Sequence, residues 1–386
     1  MKPFDPPILV TKPIHPNKDR ILSAISTIID STWLTNMGPY HKKFEKKLRQ
    51  FLNVRNISVF NNGTIALITA LKALDLPKNS EVITTPFTFA ATPHAIAWNN
   101  LTPVFADIDT STMTLCPKSI ERAITPNTSA IIPVHVYGFP CNVVEIDRIA
   151  KKHNLRVIYD AAHAFGTTIN DQPITNFGDI TMLSFHATKL FNCIEGGALV
   201  YNNSALHEKI YALRNFGIKK TSLKRGIIDG IKNKDYIDAV GINGKLNEFQ
   251  CAWGIETLKI VNEEQTKRHQ IAEEYNKQLS CLNWITIPKI PENTTHSFQY
   301  FPILCGDNKR DSLYNLLLKH NIYSRKYFYP LCSDFQCYQS LESSNKHNLI
   351  NAHRIADSVL CLPFYGELSK NNCKKIRSIC DIIAQL

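Results

Sequence analysis

The chain has 386 residues, 44% of them hydrophobic and 20% charged, which excludes an intrinsically disordered protein and allows two or more domains' worth of core. No run approaches the roughly 18 apolar residues of a membrane span, and the start MKPFDPPILV is too rich in proline for a signal peptide, so a cytoplasmic protein is expected. The formal charge of +11 comes in scattered pairs such as Lys42–Lys43, Lys219–Lys220 and Lys374–Lys375, a pattern of solvated surface and phosphorylated small ligands rather than nucleic acid, and the 11 cysteines, with no C-x-x-C pair, suggest neither a disulfide framework nor a zinc site.

Residues 17–52 read as helical, with one break at Met37-Gly38-Pro39. From residue 57 a pattern of short strand, loop and helix begins. Strands are expected at ISVFN, EVITTP, TPVFADID, SAIIPVHVYG and RVIYDAA. Helices are expected at TIALITALKAL, FAATPHAIAWN, SIERAIT and VVEIDRIAKKHN. Apolar strands alternating with helices imply a mostly parallel sheet covered on both faces. Two more strands follow, DITMLSF and GGALVYN. One long helical segment is then expected over residues 246–279, leading to a region that mixes the strand HSFQYFPIL with the helix RDSLYNLLLKHN. The division expected is a large α/β domain over residues 1–250 and a smaller α+β domain over 251–386.

In parallel α/β sheets ligands sit outside the carboxyl ends of the strands, so the polar residues there are the ones to collect. After ISVF, the small-residue turn NNGTIAL opens a helix. Gly63 and Thr64 at its start form either an anion site or, for Thr64, only a helix cap. Asp160 ends RVIYD, as a buried cap or as the partner of a cation. Phe87 and Phe89 follow EVITT, as core or as a ring-stacking platform. Ser184 and Lys189 lie in SFHATKLFNCIEGGALV, between two apolar runs that make full exposure of the lysine unlikely. A partly desolvated lysine has a lowered pKa and is a nucleophile toward carbonyl groups. Together these describe a pyridoxal phosphate site: a lysine for the aldehyde, a carboxylate for the pyridine nitrogen, an aromatic ring and an anion cradle. No metal is implied. The two glycines of EGG are expected to let the backbone pass close to that cofactor.

The chain resembles the DegT/DnrJ/StrS family of nucleotide-sugar aminotransferases, of the fold type I, aspartate-aminotransferase-like, pyridoxal-phosphate-dependent class. The resemblance runs from WLTNMGPYHKKFE through NNGTIAL, EVITTPFTFAAT, VIYDAAHAFG and SFHATK to GINGKLNEFQCAWG, and more loosely to YSRKYFYPLC and LCLPFY. It implies that Lys189 binds the cofactor aldehyde and moves the proton between cofactor and sugar carbons. It further implies that Asp160 keeps the pyridine nitrogen protonated, that Phe89 stacks on the ring, and that Gly63, Thr64 and Ser184 hold the phosphate. His163 would lie beside the phenolic oxygen, where many members have glutamine. Asn243 would reach the cofactor phosphate of a neighbouring subunit, which implies a homodimer with shared active sites. Lys245 stands where arginine is common, and His186 and Asn192 read as structural. Tyr327 and Tyr329 are candidates for reading the sugar.

The reaction implied is two-stage transamination, with L-glutamate as donor and a nucleotide-linked keto-sugar as acceptor. The wording of DAAHAFG and SFHATKLFN is closest to enzymes that aminate carbon 4 of dTDP-4-keto-6-deoxyglucose, for an O-antigen or other surface glycan. Carbon-3 enzymes on a dTDP-3-keto-6-deoxyhexose are the alternative within the family. A pyridoxal-phosphate-binding regulatory protein without turnover is the alternative outside it.

Overall fold

The structure is a computed structural model and describes residues 2–218, 237 and 239–386; the pair Lys219–Lys220 lies outside the described residues. Seven strands form the central sheet: β1 (Asn56–Phe60), β2 (Glu81–Thr84), β3 (Thr102–Phe105), β4 (Thr128–Ile132), β5 (Arg156–Asp160), β8 (Ile180–Ser184) and β9 (Gly197–Tyr201). Their order is β1-β9-β8-β5-β4-β2-β3, and β9 alone runs against the others. The sheet is therefore mostly parallel, as the apolar runs imply.

Alternate side chains of each strand go to opposite faces, and both faces are buried. Val59, Leu183 and Ala198 join one core with Phe44, Leu48 and Phe185. Their chain neighbours Phe60, Met182 and Leu199 join the other with Leu67, Leu71 and Ile96. Phe44 and Leu48 come from α2 (Pro39–Leu52), whose buried positions His41, Phe44, Leu48 and Leu52 recur at helical spacing. The break before it runs over residues 32–38, and Pro39 opens the helix, where its missing N–H costs nothing.

The expected single helix over 246–279 is two, Glu248–Thr257 and Val261–Leu279. Glu248 starts the first of these, is fully buried, and accepts from the Tyr40 and His41 amides at 2.8 and 3.0 Å, so it caps α2 across the fold. The expected strand SAIIPVHVYG ends at Ile132, and Val136–Gly138 is a single 3₁₀ turn.

In the C-terminal region, β10 (Ile285–Thr286), β12 (Phe301–Cys305) and β13 (Val359–Leu362) form an antiparallel sheet. Helices Arg310–Lys319 and Lys370–Ile383 cover it through Leu313, Leu317, Ile376 and Ile379. A third small sheet, absent from the sequence reading, pairs β6 (Thr168–Ile169) with β7 (Gln172–Pro173) and β11 (Thr294–Thr295). Among the described residues, no helix is long and apolar enough to cross a membrane.

Candidate active site

The carboxyl ends of β1, β2, β5 and β8 open into one cavity of about 290 Å³. Gly63, Thr64, Phe89, Asp160, His163, Ser184, Lys189 and Tyr327 all line it. Two of the sequence candidates do not. Tyr329 is 48% exposed, and its ring lies 4.5 Å from the Arg310 guanidinium carbon. Asn243 is exposed, with Oδ1 accepting from Lys245 Nζ at 2.6 Å.

Asp160 is the last residue of β5 and only 4% exposed. Its backbone is pinned on both sides, N–H to Pro133 O and carbonyl to His135 N, each at 2.9 Å. Oδ1 accepts from the Ala162 amide at 3.0 Å, and Oδ2 from the Thr92 hydroxyl at 2.8 Å. That hydroxyl lies 2.9 Å from the hydroxyl of Thr88. Burial pushes the carboxyl's pKa up, while the Ala162 and Thr92 hydrogen bonds and Lys189 pull it back. Asp160 is thus a carboxylate held by neutral donors, with no cation at ion-pair distance among the described residues.

Lys189 follows β8, its amide bonded to His186 O at 2.9 Å. Burial lowers its pKa from 10.5 to about 8, Asp160 opposes this, and Arg325 adds to it. The unfolded chain holds this proton to about pH 10.5 and the folded chain only to about 8. The cost of burial is therefore present below pH 8 and is released between 8 and 10.5. Pyridoxal phosphate uptake by cofactor-free protein is accordingly expected to accelerate with pH through a midpoint near 8. The rise of yellow absorbance measures it, and a midpoint near the ordinary lysine value would refute the desolvation argument.

His163 is buried, and its Nδ1 accepts from the Tyr137 amide at 3.1 Å. The neutral ring must then carry its proton on Nε2. Burial first, and then the charge of Lys189, keeps its pKa well below the usual histidine value, so the ring is a fixed neutral donor. Its plane lies within 3° of the Phe328 ring at 5.9 Å, and Tyr300 meets it edge-on at 5.1 Å.

At the other end of the cavity, α3 (Gly63–Ala73) begins. Asn62, not Thr64, is its cap, with Oδ1 accepting from the Ile65 amide at 2.8 Å. The hydroxyls of Thr64 and Ser184 have no protein partner among the described residues. Helix start and hydroxyls together could hold an anion. A Cβ on Gly63 would come 3.1 Å from Met182 Sδ and Ser184 Cβ. The EGG glycines make room for neighbouring protein atoms. A Cβ on Gly197 would lie 2.6 Å from Gly63 N and 2.7 Å from Asn62 C, and one on Gly196 would lie 2.3 Å from Cys193 Sγ. Gly197 lets β9 pass against the backbone of the Asn62–Gly63 turn, and Gly196 makes room for the Cys193 side chain. Gly197→Ala is expected to cost about 1–3 kcal/mol of stability, read from the denaturant midpoint, and to weaken retention of pyridoxal phosphate.

Asn192 and His186 are tied into local structure. Asn192 bonds Ile14 O and Trp253 Nε1 at 3.1 and 3.2 Å, and His186 Nε2 lies 3.5 Å from Glu195 Oε1. The sequence reading missed Thr88, Thr92, Tyr300, Phe328 and Arg325. Thr88 lies in the bend before the helix Ala91–Trp98, so only the folded turn brings its hydroxyl to that of Thr92. Arg325 was visible only as a cation among aromatics.

The residues fit pyridoxal phosphate, with a lysine of lowered pKa, a carboxylate that no cation meets at ion-pair distance among the described residues, and a helix start that could hold an anion, all in one cavity. The model of the DegT/DnrJ/EryC1/StrS aminotransferase family matches residues 16–381. The chain belongs to this family. It is 44% identical over 372 residues to the dTDP-4-amino-4,6-dideoxy-D-glucose transaminase of Shigella dysenteriae, covering 95% of this chain and 96% of that one. It is 43% identical over 380 residues to the enzyme of the same name from Escherichia coli, covering 97% and 98%. A crystal structure of DesI in the presence of its TDP-sugar product superposes with a TM-score of 0.89 at 31% identity, covering 100% of this chain and 94% of that one. The fold is that of the type I pyridoxal-phosphate-dependent aminotransferases, and the protein is a sugar aminotransferase.

Proposed function

We propose that the protein transfers the amino group of L-glutamate to carbon 4 of dTDP-4-keto-6-deoxy-D-glucose, giving dTDP-4-amino-4,6-dideoxy-D-glucose, with pyridoxal 5′-phosphate as cofactor. The observation that carries the chemistry is Lys189 and the carboxylate of Asp160 lining one cavity. The names of the two relatives at 43–44% identity support the substrate and the carbon.

Bound there, the cofactor supplies an aldehyde for amines and an electron-poor ring that accepts the charge left when a carbon loses its proton. Asp160 then holds a proton at the pyridine nitrogen, which keeps the ring electron-poor. Lys189 Nζ takes the proton from the donor carbon and returns one to the acceptor, as a base whose pKa near 8 suits both directions. His163 Nε2–H would be the donor to the cofactor's phenolic oxygen. Thr64, Ser184 and the first amides of α3 hold the phosphate. Phe89 would cover one ring face, and Tyr300, Tyr327 and Phe328, which line the same cavity, would exclude water.

A homodimer with shared sites is part of the reading. Phe216 and Ile242 expose apolar side chains beside Asn243, and Val240 is 88% exposed. These suit a partner surface, with Asn243 reaching the partner's phosphate cradle. The proposed setting is the cytoplasm, in supply of a surface glycan such as O-antigen.

The test is product analysis. Purified protein with pyridoxal phosphate is expected to be yellow, to bleach with L-glutamate and to recover with the 4-keto sugar nucleotide, and NMR should place nitrogen on carbon 4. Nitrogen on carbon 3 from a 3-keto substrate would replace the substrate assignment. A yellow protein that no amine bleaches would leave a binding protein without turnover.

A further inference from the structure

We propose that Gln299 is a positioning residue for Lys189: its side-chain amide clamps the two peptide groups that flank the lysine, and so fixes where the base can reach. This rests on the role of Lys189 proposed above and names what holds that residue in place.

Lys189 has little else to hold it. Among the described residues its Nζ has no hydrogen-bond or ion-pair partner, and it lies past the end of β8, outside any strand or helix. Its own amide closes a turn on His186 O at 2.9 Å. The next amide, that of Leu190, has no backbone partner among the described residues and donates to Gln299 Oε1 at 2.6 Å. On the other side, the Thr188 carbonyl accepts from Gln299 Nε2 at 3.0 Å. One side-chain amide thus meets one donor and one acceptor, as a neighbouring strand would. Turning that amide over would set N–H against N–H and oxygen against oxygen, so the two bonds admit a single orientation. Leu190 and Gln299 are 2% and 1% exposed, which keeps water from replacing the bond to the Leu190 amide. Thr188 and Lys189 line the cavity and Gln299 does not. Gln299 therefore acts through the lysine's backbone, not on a ligand.

The clamp is itself anchored. Arg268 Nη1 donates to the carbonyls of Phe298 and Gln299 at 3.2 and 3.4 Å. Arg268 is buried and paired with Glu264 at 2.8 Å, and Glu264 accepts from the Gly366 amide at 2.8 Å. The chain turns at Phe298, whose φ of 53° is left-handed, and His296 Nδ1 accepts the Phe298 amide at 3.0 Å in that turn. One residue earlier, Ser297 Oγ donates to His163 O at 2.6 Å. Residues 297–299, just before β12 of the C-terminal sheet, thus tie down backbone at both His163 and Lys189. A lysine carries its amine on a flexible four-carbon stem, so a fixed root decides where the tip goes. That matters because the same amine must meet the reacting carbon in both half-reactions, and misplacement by about 1 Å can cost about 100-fold in rate.

Gln299→Met keeps the length of the side chain and removes both bonds. The rate of bleaching by saturating L-glutamate, counted per bound cofactor, is expected to fall about 10- to 100-fold, with the half-saturating concentration changed less than about 3-fold. A residue that served only stability would leave less folded, cofactor-loaded protein that reacts at the wild-type rate per site. That outcome would overturn the assignment, and so would a loss confined to half-saturation. Amide hydrogen exchange tests the clamp on the wild-type protein itself. The Leu190 amide is expected to exchange as slowly as the amides of β8, and at least ~10-fold faster in Gln299→Met. Wild-type exchange at the rate of an exposed loop would overturn the clamp. If no amine bleaches the wild type, the aminotransferase reading falls, and the exchange rates still decide whether Gln299 holds the lysine's backbone.

Discussion

Lys189→Ala is expected to lower multiple turnover by at least ~10³-fold while leaving the protein folded. The size follows from two losses at once, the group that holds the cofactor and the base that moves the proton. The fold should survive because among the described residues the side chain has no hydrogen-bond or ion-pair partner; only the Lys189 amide is bonded, to His186 O, and alanine keeps that bond. Removing an ammonium whose pKa burial has lowered to about 8 also relieves a cost at neutral pH. The checks are steady-state turnover, thermal melting and absorbance after adding pyridoxal phosphate. The variant should lack the wild-type yellow band, and a small primary amine added to the buffer should restore part of the reaction. Retained multiple turnover would mean another lysine carries the chemistry.

The second large effect is expected at Asp160. Asp160→Asn should cut turnover by about 10²–10³-fold with little change in stability. The amide is close in shape, its oxygen keeps the bond from the Ala162 amide, and its NH2 can donate to the Thr92 hydroxyl oxygen in place of the bond Oδ2 accepts, while the charge is removed. In the cofactor-free protein that charge is a burden, since burial raises the carboxyl's pKa by more than its two hydrogen bonds and the charge of Lys189 pull it back. Its use comes with a protonated pyridine nitrogen, which it stabilises and which stabilises it. Asp160→Asn is therefore expected to retain cofactor less well at alkaline pH, where that proton is most readily lost. Chemical denaturation and absorbance against pH separate these effects. Unchanged rates would refute the role assigned to Asp160.

Much of this site was legible before any coordinates. Lys189, Asp160, Ser184 and the Gly63–Thr64 turn each sit at the end of an apolar run, and strand ends of a parallel sheet converge by construction, whereas His163 came only from the family resemblance. Local chemistry marks such residues, so reading along the chain finds them. The order of strands was not legible, because β1 pairs with β9 across 137 residues or more and no local pattern encodes that distance. Nor was the third sheet, whose two-residue strands carry no usable period. The helix break at residues 258–260 was hidden because each flank continues a helical pattern.

The sequence by itself determined the fold class and marked Lys189, Asp160 and the Gly63–Thr64 turn as candidates, because each depends on hydrophobic period and on residue type at a strand end. Tertiary structure alone decided which of these share a cavity and what state they are in. It set the histidine tautomer through a backbone amide 26 residues away. It brought Arg325 from the C-terminal region to face Lys189, and it left Tyr329 outside. It also set the role of Gly197, whose missing side chain is required by the approach of a turn more than 130 residues earlier. Desolvation, orientation and steric room are properties of what packs around a group. They arise only when distant segments meet, so no window of sequence contains them.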